Sequence, residues 1–195
     1  MGGVFLITGI PASGKSTVAQ ALAERLPRSA HIRGDAFRRM IVGGRAGPVS
    51  GHHGLQHSEH HGRHHGGDLE DGPDEETLRQ MRLRHSLAAA SADGYAAAGF
   101  TPVLQDVILG DELPRTIALL RTRPLHVVVL VPPPRAVAAR EAARAKRVYD
   151  SVVTPARLDH ALRSGTPRIG LWLDTGEQTP EETVDTILRH AGPTG

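Results

Sequence analysis

The segment Gly9-Ile10-Pro11-Ala12-Ser13-Gly14-Lys15-Ser16 constrains this chain more than any other. It fits G-x-x-x-x-G-K-[ST] without a mismatch, and its surroundings fit as well. Before it, Val4–Thr8 is a short apolar, β-rich run that reads as a buried parallel strand. After it, Ser16–Leu26 reads as a helix with Val18, Leu22 and Leu26 on one face, stopped by Pro27. Gly9 and Gly14 let the backbone wrap closely enough for successive N–H groups to point at the oxygens of a phosphate. The helix starting near Lys15 adds the positive end of its dipole at the same spot. The Lys15 ammonium can reach β- and γ-phosphates, and the Ser16 hydroxyl can ligate Mg²⁺. Gly9, Pro11, Ala12, Ser13, Gly14, Lys15 and Ser16, with Thr17 behind them, are therefore the candidate nucleotide contacts.

Composition strengthens the reading of Lys15. Of 23 basic residues only Lys15 and Lys146 are Lys, so a Lys in this chain marks a place where a planar guanidinium would not serve. The same 23 basic residues nearly cancel 21 acidic ones, for a net charge of +2. No block of like charge marks a nucleic-acid stripe or a membrane-binding tail. The chain has no cysteine, which excludes a disulfide scaffold, thiolate chemistry and cysteine-based zinc or iron–sulfur sites. The longest apolar run, Val127–Val131, is far too short to span a bilayer. The N-terminus lacks the basic stretch and apolar core of a secretion signal. The expectation is a cytoplasmic protein.

The rest of the chain alternates strands and helices. Ala30–Arg33 is a second strand, followed by a helix from Gly34-Asp35 to about Val42. A long helix capped by Asp74 ends near Gly99, Thr101–Asp106 is a third strand, and a helix runs from Glu112 to Arg123. Leu125–Val131 is the most strand-like segment, closed by Pro132-Pro133-Pro134, with an Arg- and Ala-rich helix after it to about Arg147. A shorter helix, Thr154–Leu162, precedes a fifth strand, Ile169–Leu173, and Thr179-Pro180-Glu181-Glu182 caps the last helix. This order predicts a three-layer α/β domain: a five-stranded parallel sheet with helices on both faces. At 195 residues the chain reads as one domain. Residues 44–73 interrupt it as a mobile His/Gly-rich insertion with almost no apolar periodicity.

A phosphate loop alone does not choose an activity. No Asn-Lys-x-Asp guanine-reading motif is present, and an AAA-type ATPase is expected to need more chain, including a lid domain. Small-molecule kinases fit the length. They need a base for the acceptor hydroxyl, a Mg²⁺ environment and cations over the transferring phosphoryl. Asp35, just past the second strand at the carboxyl edge of the sheet, is the candidate base; the alternative is that it only caps its helix. Arg38, one turn on, is a candidate substrate contact. Asp106 ends the third strand and is a candidate for a Mg²⁺-bound water or for substrate, the alternative being a turn-former. Arg140, Arg144 and Arg147 share one helix face and would stabilise charge on the transferring phosphoryl; a solvated Arg face is the alternative.

The insertion carries His52, His53, His57, His60, His61, His64 and His65, a tract that binds Ni²⁺, Zn²⁺ or Cu²⁺ adventitiously or closes over an acceptor. His31, His85, His126, His160 and His190 are scattered and receive no chemistry.

Taken together, Gly9–Ser16, Asp35 with Phe37-Arg38, Gln105-Asp106-Val107-Ile108-Leu109-Gly110, the Ala136–Arg147 block and Leu173-Asp174-Thr175 resemble the chloramphenicol phosphotransferase-type small P-loop kinases. These share an overall plan with gluconate and shikimate kinases and zeta toxins. The resemblance covers most of the chain outside the insertion. It implies strand order 2-3-1-4-5, ATP with Mg²⁺, transfer of the γ-phosphoryl to a small-molecule hydroxyl, an Asp base at Asp35, and Thr175 near the adenine. It departs at Gln105, where the family tends to carry a second acid, and at the insertion, which replaces part of the acceptor region.

The expectation is thus an ATP-dependent small-molecule O-phosphotransferase of the antibiotic-modifying type. The competing reading is a nucleotide-dependent switch or metallochaperone using the His-rich tract. A kinase acting on polynucleotide ends is disfavoured by the balanced charge and 3% aromatic content.

Overall fold

The computed structural model describes residues 3–46, 75–143 and 154–192. Most of the His/Gly-rich insertion, Arg144 and Arg147 lie outside the described residues. Five strands form one parallel sheet: β1 (Val4–Gly9), β2 (Ser29–Arg33), β3 (Thr101–Gln105), β4 (Leu125–Leu130) and β5 (Leu171–Leu173). Their spatial order is β2-β3-β1-β4-β5, the expected three-layer arrangement. β1, the central strand, is buried along its whole length, as a strand covered on both faces must be.

Two apolar layers hold the sheet. On one face α1 (Lys15–Arg25) and α7 (Pro180–Ala191) cover Phe5 and Ile7 of β1 and Val128 and Leu130 of β4, with Val18, Leu22, Val184 and Ile187 between them. On the other, α3 (Glu75–Ala97), α4 (Glu112–Leu119), α5 (Pro134–Ala142) and α6 (Pro155–Gly165) pack on Leu6, Leu104, Val127 and Val129 through Ala88, Ala92, Leu113, Val137 and Leu162. Each fully buried Leu or Ile contributes about 1.5–3 kcal/mol of transfer free energy. α3 meets the sheet with alanines, which lets its backbone approach β3 closely. No described helix is long and apolar enough to cross a membrane.

Element boundaries differ from the sequence expectations where a tertiary contact intervenes. α2 (Gly34–Arg39) stops short of Val42, because the following loop is clamped to α3: Gln80 donates to the Gly44 carbonyl and accepts from the Ala46 N–H. α4 ends at Leu119 instead of Arg123. The Asp93 carboxylate on α3 accepts the backbone N–H groups of Arg121 and Thr122 and the Thr122 hydroxyl, so the chain is drawn out of the helix there. β5 begins at Leu171, since Gly170 takes φ 76° to pass the Val127 carbonyl. At α7 the expected cap is present in full: the Thr179 hydroxyl accepts from the Glu182 N–H, and the Glu182 carboxylate accepts from the Thr179 N–H.

Candidate active site

The loop between β1 and α1 is shaped by backbone conformations that few residues tolerate. Gly9 (φ 150°) and Gly14 (φ 97°) lie in the region that favours glycine, and Ala12 (φ 59°) is left-handed as well. A Cβ at Gly9 would lie 2.6 Å from the Leu130 carbonyl and 2.9 Å from Ser13 Oγ, so the loop closes tightly only without a side chain there. The Lys15 ammonium is buried and donates to the Ile10 carbonyl at 2.7 Å, folding across the loop it serves. Ser13 Oγ is buried and makes no hydrogen bond among the described residues.

Alongside this loop is a cleft of about 310 Å³ lined by Ala12, Ser13, Gly14, Thr17, Arg140 and Thr175, among others. Arg140 of α5 spans it: Nη1 donates to the Ser13 carbonyl at 3.1 Å and Nη2 to the Thr175 carbonyl at 2.7 Å. The structure therefore brings the phosphate loop together with Arg140 and Thr175 after β5, both more than a hundred residues further along the sequence. Arg140 acts here as a strut between the loop and the β5–α7 connection.

Across the carboxyl edge of the sheet lies a second group. Asp106 follows β3 and is 5% exposed. Its Oδ1 accepts the Val107 N–H at 2.7 Å, and its Oδ2 lies 2.9 Å from Arg84 Nε of α3. Burial raises the Asp106 pKa, and the Arg84 cation, the Val107 N–H and the Lys15 ammonium oppose that shift. Gly34, the first residue of α2, packs directly on this carboxylate. Asp35 comes next. Arg39 Nη1 holds its Oδ2 at 2.6 Å, and Arg33 Nε stands 3.7 Å from Oδ1. Oδ1 is turned away from solvent and makes no hydrogen bond. Asp35 does not cap α2: the N-cap position is Arg33, and no side-chain cap bond is formed at this helix start.

Sequence reasoning missed two members of this group. Arg84 and His85 of α3 both face Asp106, and His85 is almost fully buried, with Nε2 3.8 Å from Asp106 Oδ2 and Nδ1 3.9 Å from Glu112. Burial first, and the neighbouring Arg84 cation second, lower the His85 pKa to about 4, so the ring is neutral at pH 7. Nothing in a lone Arg-His pair on a helix announces this. The only sequence signal is that α3 is otherwise built of small residues where it meets the sheet.

Mg²⁺ fits the donor set to a degree that can be stated. Ser16 supplies a hydroxyl in the first turn of α1, and Asp106 Oδ2 is a buried acceptor with no hydrogen bond. Since Arg84 already stands against that oxygen, Asp106 suits contact with a metal-bound water better than direct ligation. The described residues contain no cluster of three or more His, Asp or Glu able to hold a metal ion.

Known proteins share this fold. The solved structure of a sugar kinase from Janibacter sp. HTCC2649 superposes with TM-score 0.66 at 16% identity, covering 98% of this chain and 95% of that one. The tunicamycin resistance protein of Deinococcus radiodurans gives TM-score 0.60 at 20% identity over 100% and 98% of the two chains. A gluconokinase from Sinorhizobium meliloti 1021 gives 0.58 at 17% identity over 96% and 90%. At such identities the likeness is one of fold, that of P-loop kinases. A search of curated proteins finds no match. A family model described as AAA domain matches residues 4–167. The chain belongs to the AAA domain family AAA_33, and within it has the P-loop kinase fold.

Proposed function

We propose that this protein is a cytoplasmic ATP-dependent O-phosphotransferase, a single kinase domain with an insertion at 44–73, that moves the γ-phosphoryl of ATP to a hydroxyl of a small molecule. The observation that supports the reading best is Asp35. Its Oδ1 is inward-facing and without a hydrogen bond, and it sits one residue after Gly34, which packs on the Asp106 carboxylate. Lys15 in turn lies close enough to Asp106 to shift its ionisation. Base, phosphate loop and buried acid thus occupy one edge of the sheet, where ligands of doubly wound folds collect.

In this reading the loop Gly9–Ser16, with Thr17, holds the phosphates of ATP, and Lys15 leaves the Ile10 carbonyl for the β- and γ-phosphate oxygens. Thr175 and Arg140 border the nucleoside side of the cleft. Mg²⁺, when bound, would neutralise charge on the phosphates; the Ser16 hydroxyl and, through a water, the Asp106 carboxylate would hold it. The acceptor hydroxyl gives its proton to Asp35 Oδ1 as its oxygen bonds to the γ-phosphorus. The bond between that phosphorus and the β–γ bridging oxygen breaks, and ADP leaves. Arg39 fixes the carboxylate so that the oxygen facing the acceptor is the free one. Arg38 contacts the acceptor, and Arg140 with Arg144 stabilises charge on the transferring group.

The test is mass spectrometry of products after incubation with Mg·ATP and hydroxylated acceptors: chloramphenicol and other antibiotics, sugars, sugar acids, shikimate and nucleosides. Lys15→Ala serves as the blank. A phosphorylated acceptor that disappears in the blank is the expected result. ATP binding with no acceptor modified, together with tight stoichiometric Ni²⁺ binding that responds to nucleotide, would replace this reading with the nucleotide-dependent metallochaperone.

A further inference from the structure

The cations around Asp35 and Asp106 are not all matched. Arg33 and Arg39 neutralise Asp35, and Arg84 pairs with Asp106. Arg38 is left over. It is half-buried, and among the described residues its hydrogen bond is from Nη2 to the Ala46 carbonyl at 3.0 Å. Among the described residues Arg45 likewise bonds to carbonyls, those of Ile41 and Arg39. Neither has a carboxylate partner among the described residues.

These two arginines are also gathered beside the third. Gln80 binds both Gly44 and Ala46, so the short stretch bearing Arg45 is fastened to α3 one turn before Arg84. Arg38 reaches to the same stretch through Ala46. Burial, then Arg45, then Arg84 all disfavour the charged form of Arg38, whose pKa is lowered accordingly. Arginine does not give up its proton in proteins. Among the described residues these three guanidinium groups have one carboxylate, Asp106, which pairs with Arg84 alone, so the half-buried Arg38 is the one an added anion would stabilise most.

Resting on the assignment of Asp35 as the base, we infer that the acceptor is an anion-bearing hydroxy compound whose carboxylate, sulfate or phosphate group is held by Arg38 and Arg45, with Arg84 behind. The guanidinium fork suits all three groups, since each offers paired oxygens in a plane. The anion anchors the acceptor on the α2–α3 side and leaves its hydroxyl toward Asp35, which Arg33 and Arg39 have already neutralised. A neutral acceptor such as chloramphenicol would leave the Arg38 charge unmatched by any carboxylate of the described residues.

Two measurements test this. In the first, the protein is saturated with ADP to fill the phosphate loop, and inorganic sulfate, then acetate, is titrated in while thermal unfolding is followed. Sulfate should stabilise the wild type at concentrations about tenfold or more below those needed for Arg38→Gln or Arg45→Gln. The distant surface variant Arg25→Gln should match the wild type. Identical curves for all four proteins would overturn the proposal, whatever the enzyme phosphorylates. The responses to sulfate and acetate separate a phosphate- or sulfate-type acceptor from a carboxylate.

The second compares matched acceptors: a sugar, its aldonic acid and its phosphate monoester. The anionic forms should have KM values about tenfold or more lower, and Arg38→Gln should erase that preference while leaving KM for ATP unchanged. Equal use of the neutral sugar would refute the anion site and leave the kinase reading intact. Failure of every acceptor, with the sulfate difference still present, would count against the kinase reading alone.

Discussion

Gly34 and Asp106 are in direct contact across the edge of the sheet, so that a Cβ at residue 34 would overlap the Asp106 carboxylate. This contact ties the start of α2, and Asp35 with it, to the end of β3. Gly34→Ala must therefore displace either Asp106 from Arg84 or α2 from the sheet. The expected cost is about 1–3 kcal/mol, read as a melting temperature lower by roughly 2–10 °C. An unchanged melting temperature would mean that the contact yields freely.

Asp93 makes a second prediction, about stability alone. Its carboxylate gathers the N–H groups of Arg121 and Thr122 and the Thr122 hydroxyl. Burial would raise its pKa, but the bonds from Thr122 and Arg121 outweigh it and the net shift is downward. Its contribution is therefore present above the ordinary Asp pKa and is lost as pH falls through the lower folded value. Asp93→Ala should cost about 2–3 kcal/mol at pH 7 in chemical unfolding, and less below pH 3.

His85 gives a pH dependence of the same sign in a higher window. Its pKa is lowered from 6.5 to about 4 in the fold, so between those values the unfolded chain binds more protons, and acid destabilises the protein. Lowering the pH from 7 to 5 should cost the wild type roughly 2 kcal/mol more than His85→Gln. His31 and His126, also lowered by burial, act in the same direction in both proteins and cancel in the comparison. Asp106, raised, favours the acidic side and opposes the trend. Parallel pH profiles would show that His85 is not held neutral.

Arg140 links Ser13 to Thr175 through two carbonyls. Arg140→Ala should free the β5–α7 connection and weaken ADP binding by roughly tenfold in calorimetry. Affinity equal to the wild type would remove Arg140 from the nucleotide site.

Much of this was legible in the sequence, for local reasons. The phosphate loop, the apolar run of β4 and the capping box at Thr179 are each written in consecutive residues and survive folding unchanged. The early end of α4 was not legible, because it depends on Asp93, 28 residues before Arg121. Nor was the burial of His85, since a histidine between arginine and serine on a helix reads the same whether it faces solvent or Asp106. Asp35 could be placed at the sheet edge from its strand. Its pairing with Arg33 and Arg39, and the unmatched charge left on Arg38, needed the fold.

The measurement that bears most directly on the account is single-turnover phosphoryl transfer by Asp35→Asn, with nucleotide affinity measured in parallel. With Asp35 as the base, the variant should bind Mg·ATP as the wild type does and transfer the phosphoryl group about 10²–10⁴-fold more slowly. A wild-type transfer rate in Asp35→Asn would contradict the assignment, and with it the reading of this edge of the sheet as the catalytic one.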